Sequence, residues 1–221
     1  NGVLQAPISS YTISGSTIVF AAALTSADSI DFITVMGDVL NLGQPSDGTV
    51  VPASLGTTAV TALTAGTGIT SGTNTVYRSD VQKLGNIYHT RILIDLTGLA
   101  SSGSGDIIGK AGTASSHIGQ ITAAINGTVL GGKITCFEAP AGGDPDINLW
   151  YADEATGAED AAITSLTNQI QMCDSGDFAI GTVVGIPTPP AADKYLYMVT
   201  GAATNADYTA GKLLIELFGY V

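Results

Sequence analysis

Hydrophobic and polar residues alternate with a period of two in the stretch from Ile87 to Gly98. The alternation sorts the side chains into a mainly apolar row and a mainly polar row, which are Tyr88, Thr90, Ile92, Ile94 and Leu96 against His89, Arg91, Leu93, Asp95 and Thr97. Because successive side chains of a β-strand point to opposite faces, this pattern predicts a half-buried strand. We expect it to be a central strand, with further strands covering its apolar face.

More stretches rich in β-branched and aromatic residues follow, and turns separate them. Strands are expected at 147–151, 178–186, 194–199 and 211–221, while 163–172 is either a strand or one helical turn. Prolines at 187, 189 and 190 predict a turn before the strand at 194–199, in which Tyr195, Tyr197 and Val199 share one face. Strands at this spacing are typical of all-β folds, so we predict a β-sandwich or jelly-roll domain over residues 72–221.

The stretch 117–139 carries a turn signal at Asn126 and Gly127. Both residue types tolerate positive φ, which favours a tight hairpin turn between two paired strands. The next stretch, 139–157, combines Gly, Pro and acidic residues around the strand at 147–151. It predicts a long exposed loop with an acidic rim.

The N-terminal third has a different character, because it is poor in charge and its periodicity is incomplete. Residues 11–23 predict a strand, a turn and a second strand. Residues 31–42 favour a strand, with a short helix capped by Ser26 or Asp28 as the alternative. Residues 44–75, rich in Thr, Ala, Gly and Ser, predict a flexible linker or an extended strand. We expect residues 1–71 to form an extended N-terminal β arm for assembly, with a boundary near Gly72.

The charge composition and hydropathy of the chain limit the kinds of partner that we expect. Only 12% of the residues are charged and 45% are apolar, which predicts a folded chain. The formal net charge is -12, and the seven basic residues are scattered singly, so nucleic acid is not an expected partner. No apolar run reaches the roughly 18 residues of a membrane-spanning helix, so no membrane partner is expected.

Two cysteines, Cys136 and Cys173, lie in segments that predict strands. Neither belongs to a Cys-x-x-Cys or His-spaced metal pattern. We expect two reduced, buried thiols, and one disulfide is the alternative.

An acidic cluster in the predicted loop offers oxygen ligands of the kind that Ca²⁺ prefers, from Asp144, Asp146, Asp153 and Glu154. The spacing does not match an EF-hand, so a solvated loop is the expected alternative to a calcium site. A glycosidase would need a carboxylate pair in an aromatic-lined cleft, and aromatic residues make up only 6% of the chain.

The two histidines, His89 and His117, could each join a serine and Asp95 in a catalytic triad. No Gly-x-Ser-x-Gly motif occurs, so we expect cross-strand or hydrogen-bonded histidines instead. The glycines at 103 and 105 lack the strand-to-helix context of a phosphate-binding loop. We therefore expect no catalytic, cofactor-binding or metal-binding residue, no cofactor and no enzymatic activity.

A series of short motifs in a fixed order nevertheless resembles a known family. The motifs are Ile-Leu-Ile-Asp-Leu-Thr-Gly-Leu at 92–99, Gly-Asp-Ile-Ile-Gly at 105–109, His-Ile-Gly-Gln-Ile at 117–121, Glu-Ala-Pro-Ala-Gly-Gly-Asp-Pro-Asp-Ile at 138–147, Ala-Ala-Asp-Lys-Tyr-Leu-Tyr at 191–197 and Tyr-Thr-Ala-Gly-Lys-Leu-Leu-Ile-Glu-Leu-Phe-Gly at 208–219. The series covers roughly residues 72–221. It resembles virion structural proteins of tailed bacteriophages, many of them marine.

This resemblance implies a β-rich, non-enzymatic component of the virion, such as a capsid decoration (cement) protein or a spike. Our hypothesis is that the β domain oligomerises, as a trimer matched to local threefold symmetry, and that the arm binds the major capsid protein or a neighbouring virion subunit. The alternative is a head or tail spike that binds a receptor or glycan through the loop around Trp150 and Tyr151. A hydrolase with an unrecognised site is the third hypothesis.

Overall fold

The computed structural model describes residues 10–14, 17–27, 29, 62–70 and 75–221, and the chain divides into two units, residues 1–46 and 47–221. In the first unit, strands β1 (Tyr11–Ser14) and β2 (Thr17–Phe20) form an antiparallel pair. This pair confirms the two strands predicted within residues 11–23. The strand or helix predicted over 31–42 lies outside the described residues.

Eleven further strands and two one-turn helices belong to the described part of the second unit. They are α1 (Thr67–Thr70), β3 (Tyr77–Leu84), β4 (Ile87–Asp95), β5 (Ala100–Ser101), β6 (Gly119–Ile121), α2 (Ala123–Asn126), β7 (Thr128–Ala141), β8 (Ile147–Ala152), β9 (Ile170–Cys173), β10 (Val183–Ile186), β11 (Lys194–Thr200), β12 (Ala206–Asp207) and β13 (Ala210–Tyr220).

The long strands form two antiparallel sheets. One has five strands in the order β10-β7-β13-β4-β3, and the other has four in the order β6-β11-β8-β9. Strands β5 and β12 make a small separate pair. The fold is therefore all-β, as the sequence predicted, with several antiparallel sheets as in a β-sandwich; a jelly-roll connectivity stays a prediction.

Strand β4 has the alternating burial that its sequence predicted. The residues at 88, 90, 92, 94 and 96 are all buried, while those between them are half-buried. The strand lies between β3 and β13, so it is an inner strand of the five-stranded sheet. A two-residue turn at Gly85 and Asn86 joins it to β3, and Gly85 has a φ of 60°, which glycine adopts without steric cost.

The main core unites apolar side chains from both sheets. It includes Ile92 of β4, Ile215 of β13, Leu149 of β8, and Leu196 and Met198 of β11, all at most 1% exposed. Because each sheet turns one apolar face to this cluster, burial of these faces is the main force that holds the domain together.

A second, smaller cluster covers the opposite side of β11. Tyr197 and Val199 are buried there against Ile107, Ala152 and Ile163. Strand β11 is thus buried on both faces, and the predicted common face of residues 195, 197 and 199 is confirmed. The segment 163–172 contains both alternatives, a 3₁₀ turn at Ile163–Ser165 and strand β9.

The hairpin predicted at Asn126 and Gly127 is wrong. Strand β6 pairs with β11 in the four-stranded sheet, whereas β7 pairs with β13 and β10 in the other sheet. Helix α2 makes the crossing, with Thr122 as its N-cap and Gly127, at a φ of 66°, as its C-cap. The Asn-Gly pair therefore ends helix α2 and does not form a hairpin turn. Asn126 is buried, whereas a residue at a hairpin tip would be exposed.

Residues 62–70 pack within the β domain, although the sequence placed them in the arm. Leu63 and Ile69 belong to the main core. The backbone N–H of Gly66 donates to the carbonyl of His117 over 2.8 Å, and that of Gly68 donates to Ser115 over 3.1 Å. The predicted boundary near Gly72 therefore falls after a segment that the core already includes.

Candidate functional site

The acidic residues proposed as calcium ligands divide into two pairs at opposite ends of β8. Asp144 and Asp146 precede this strand, and Asp153 and Glu154 follow it. Six residues of strand span roughly 20 Å, so the four carboxylates do not share one ion. Within the described residues, no group of three or more His, Cys, Asp or Glu side chains is arranged to hold a metal ion.

Asp144 is a structural residue and not part of an exposed loop. It is 1% exposed, and its carboxylate accepts hydrogen bonds from the backbone N–H groups of Asp146, over 3.0 Å, and Ala202, over 2.9 Å. The hydroxyl of buried Tyr208 donates to its carbonyl over 2.7 Å. The prediction of a solvated acidic loop is thus wrong at this position, because the carboxylate fastens the start of β8 to the end of β11.

Asp146 lies beside this arrangement in a more strongly acidic environment. Partial burial raises the pKa of its carboxyl, and the negative charges of Asp144, Asp174 and Asp177 raise it further. Its Oδ1 is enclosed and has no hydrogen-bond partner in the part of the chain that the structure describes. The pKa of this carboxyl is raised, but no metal-binding group of side chains within the described residues includes it.

The second acidic pair ties loops to strands. Asp153 forms an ion pair with Lys194 and accepts a hydrogen bond from the side-chain amide of Asn168 over 2.6 Å, and both bonds lower the pKa of its carboxyl. Glu154 accepts from the backbone N–H of Thr167 over 2.8 Å. These bonds hold the connection between β8 and β9.

The triad considered for His89 and Asp95 is not assembled. Both residues lie on β4, six positions and therefore roughly 20 Å apart. His89 instead has its Nε2 3.0 Å from Oε1 of Glu216 and stacks on the ring of Phe218 at 4.8 Å between centroids. Asp95 accepts from the hydroxyl of Thr97 over 2.6 Å and lies 3.7 Å from Nζ of Lys212.

His117 is 9% exposed and packs among aromatic rings. Its ring meets Tyr195 edge-on at 5.0 Å and Tyr197 at 6.4 Å between centroids. Burial lowers the pKa of its imidazole, because the charged form loses hydration. Its Nδ1 has no hydrogen-bond partner among the described residues. The imidazole is therefore neutral, and it lies where residues 62–70 meet the rings of Tyr195 and Tyr197.

Trp150 and Tyr151 do not form an exposed aromatic platform for a glycan. They are neighbours on β8, so their side chains point to opposite faces. Tyr151 is 7% exposed and belongs to the main core, while Trp150 packs against the second cluster. The surface expected of a sugar-binding loop is therefore absent at this pair.

Cys136 and Cys173 are both buried and unpaired. Burial raises the pKa of each thiol, that of Cys173 to about 11. The prediction of two reduced, buried thiols is confirmed, and neither thiol has the lowered pKa of a reactive cysteine.

A further candidate surface is the side of the five-stranded sheet turned away from the core, which we call the outer face. It carries the polar row of β4 and the residues in register with it on β3, β13, β7 and β10. The sequence showed only one row of this surface, because three of the strands that complete it, β7, β10 and β13, are distant from β4 along the chain.

Ion pairs cross the outer face from strand to strand. Arg91 of β4 pairs with Asp80 of β3, with Nε 2.9 Å from Oδ1. Glu216 of β13 lies 3.0 Å from both Nζ of Lys133 and Nε2 of His89. Although partial burial would raise the pKa of the Glu216 carboxyl, hydrogen bonds from these two neighbours lower it. The centre of the face is thus an internally paired row of charges.

One end of the outer face is apolar and exposed. Leu84, Ile87 and Tyr220 are in register on three neighbouring strands and are 80%, 52% and 52% exposed. Phe218 extends this end at 40% exposure, and Leu130, at a register shift of β7, is 68% exposed. A contiguous exposed apolar patch on a folded domain is typical of an interaction surface.

Among the residues that the structure describes, no helix is long and apolar enough to cross a membrane. We compared the chain with models of protein families, with curated proteins and with solved structures, and found no match in any of the three.

Proposed function

We propose that this protein is a structural component of a phage virion, most specifically a capsid decoration protein that binds and stabilises the head. The motif series over residues 72–221 supports this role. The observation that carries the proposal is the outer face, a broad open sheet surface with an apolar end and internally paired charges. Such a surface suits contact with protein.

The arrangement of the reactive side chains supports a structural role. His89, Asp144 and Asp153 each bind a neighbouring element, and Cys136 and Cys173 are buried. These contacts join strands and loops that are distant along the chain. A mechanical role, in which a stable β domain reinforces a shell, uses them without any chemical step.

We infer that the N-terminal arm contacts the shell. In the first unit, Ile13 of β1 and Val19 of β2 are 64% and 51% exposed. An isolated two-stranded pair is only marginally stable in water, and it gains stability when a partner covers its apolar side chains. Many weakly bound copies on one shell would then act together through avidity. The trimer stays a prediction of this hypothesis.

Binding to heads tests the proposal. Purified protein is added to heads that lack it, and co-sedimentation is compared for the unaltered chain, for Ile13→Lys with Val19→Lys, and for a chain that starts at Asp47. Starting at Asp47 keeps Leu63 and Ile69, which a cut at Gly72 would remove from the core. We expect the unaltered chain to bind and both variants to lose binding.

Electron microscopy of the intact particle separates the proposal from the spike alternative. Density for the β domain on the head surface supports decoration. Density at the tail, or failure of the unaltered chain to bind heads, contradicts it. A truncated chain that still decorates heads contradicts the role of the arm alone.

A further inference from the structure

The outer face differs from the rest of the molecule in charge. It carries four of the chain's seven basic residues, namely Arg78, Arg91, Lys133 and Lys212. It also carries four of the nineteen acidic residues, namely Asp80, Asp95, Glu138 and Glu216. The charges of this face therefore balance, and the remaining three basic and fifteen acidic residues hold the whole net charge of -12.

Seven of these eight charged side chains, all except Arg78, form ion pairs within the face. Besides the Arg91–Asp80 and Lys133–Glu216 pairs, Lys212 pairs with Glu138 and lies 3.7 Å from Asp95. Covering a paired charge still costs hydration, but it does not leave an uncompensated buried charge. A second molecule can cover them at lower cost than unpaired charges.

We propose that the outer face is the surface through which copies of this chain associate. A partner with a strong positive charge would bind best to the acidic remainder of the molecule, not to the neutral face. A second copy, in contrast, carries the same net negative charge and is repelled everywhere except at such a face. The neutrality of this one surface therefore selects a like-charged partner, and the apolar end supplies the attraction.

The dimensions of the face suit such an association. The five strands of this sheet average about nine residues, and at about 4.8 Å between strands and about 3.4 Å per residue they make a flat area of roughly 700 Å² in projection. A stable interface buries about 800 Å² on each partner, and side chains add relief to the flat area. The face is thus close to the size that an interface between two copies needs.

The test uses the full chain and two highly exposed leucines of the apolar end. Leu84→Lys and Leu130→Lys change side chains that are 80% and 68% exposed, so folding is expected to be preserved. Ile170→Lys on β9 of the other sheet, 44% exposed, is the matched control with the same change of charge. Sedimentation equilibrium measures the molar mass at several concentrations, and circular dichroism checks the fold of each variant.

We expect the unaltered chain to sediment as a multiple of its 22.3 kDa mass. Each leucine variant should raise the dissociation constant at least about tenfold, and the Ile170 variant should leave it unchanged. An added lysine lowers the net negative charge, so weaker association of the leucine variants must come from the lost apolar contact. A monomeric unaltered chain, including one whose own segments cover the face, overturns the proposal, as do leucine variants that associate normally. This proposal uses the same outer face as the proposed virion role, but the two can fail separately, because sedimentation measures self-association and co-sedimentation with heads measures head binding.

Discussion

The side-chain amide of Asn126 donates a hydrogen bond to the hydroxyl of Thr90 over 2.8 Å, and both residues are 1% exposed. Oδ1 of Asn126 accepts from the backbone N–H of Thr122 over 2.9 Å. The Asn126 side chain thus hydrogen-bonds to the N-cap residue of helix α2 and also links the helix to β4. Because α2 carries the chain from one sheet to the other, this bond joins the crossing to the centre of the fold.

Asn126→Ala should lower the free energy of unfolding by about 1–3 kcal/mol, because it leaves the buried Thr90 hydroxyl without its donor. Thr90→Val should have a similar effect, since the amide then lacks its acceptor. The double variant should lose less than the sum of the two changes, because they remove the same bond. Urea unfolding measures all three.

Thr67→Val is the control for the Asn126 series. The Thr67 hydroxyl donates to the carbonyl of Ala114 over 3.2 Å at an exposed position, so its loss should change the unfolding free energy by less than about 0.5 kcal/mol. Strictly additive losses in the Asn126 and Thr90 variants would contradict the coupling of these two residues.

Asn126 also illustrates which part of the fold could not be predicted from the sequence. The alternation in residues 87–98 predicted β4 because burial on one face leaves a period of two in the local sequence. The Asn-Gly pair identified a change of chain direction, but not that the next strand joins a different sheet. That choice depends on the pairing of β6 with β11, which lies more than 70 positions away.

The candidate surface was harder to predict than the fold. The polar residues of β4 were visible, but their partners were not: Asp80 lies on the adjacent hairpin strand β3, and Glu216 lies on β13, 127 positions from His89. Likewise, the two register shifts of β7 that accompany the exposed Leu130 and Phe137 follow from its pairing with β13. The four acidic residues around β8 looked like one group in sequence, but strand β8 separates them into two pairs at its opposite ends.

Gly66 is expected to control the docking of residues 62–70. A Cβ at this position would lie 1.7 Å from the carbonyl oxygen of Ser115, which belongs to the backbone and cannot move aside easily. Gly66→Ala should therefore release the segment, lower the unfolding free energy by about 2 kcal/mol or more, and speed hydrogen exchange in residues 62–70.

Gly185→Ala is the matched control, because a Cβ there meets no atom within 4 Å and its φ is not positive. Its stability should stay within about 0.5 kcal/mol of the unaltered chain. If Gly66→Ala leaves both exchange and stability unchanged, the close contact between residues 62–70 and 115–117 is not required for the fold.

The thiols of Cys136 and Cys173 should be inert in the folded protein. Both are buried, and burial raises the pKa of each, so the reactive thiolate is scarce at neutral pH. A colorimetric thiol reagent should titrate no thiol before denaturation and two after it. Rapid reaction of either thiol in the native protein, or a single disulfide found by mass spectrometry without reduction, would contradict the structure.

The stability of the β domain should depend on pH through His117. Burial lowers the pKa of the folded imidazole below its ordinary value of 6.5, so the unfolded chain binds a proton first as the pH falls. The stabilisation that comes from the neutral ring is therefore complete above pH 6.5 and is lost as the pH falls from there through the lower folded pKa.

His117→Phe removes this titration and keeps an aromatic ring against Tyr195 and Tyr197. Between pH 7 and pH 5, the unfolding free energy of the unaltered chain should fall more steeply than that of the variant, by at most about 1.4 kcal/mol per pH unit. His89 is present in both proteins, so the difference isolates His117. Because one proton sets the upper limit of the slope, parallel pH profiles would mean that His117 is hydrated in solution and that residues 62–70 do not hold it buried.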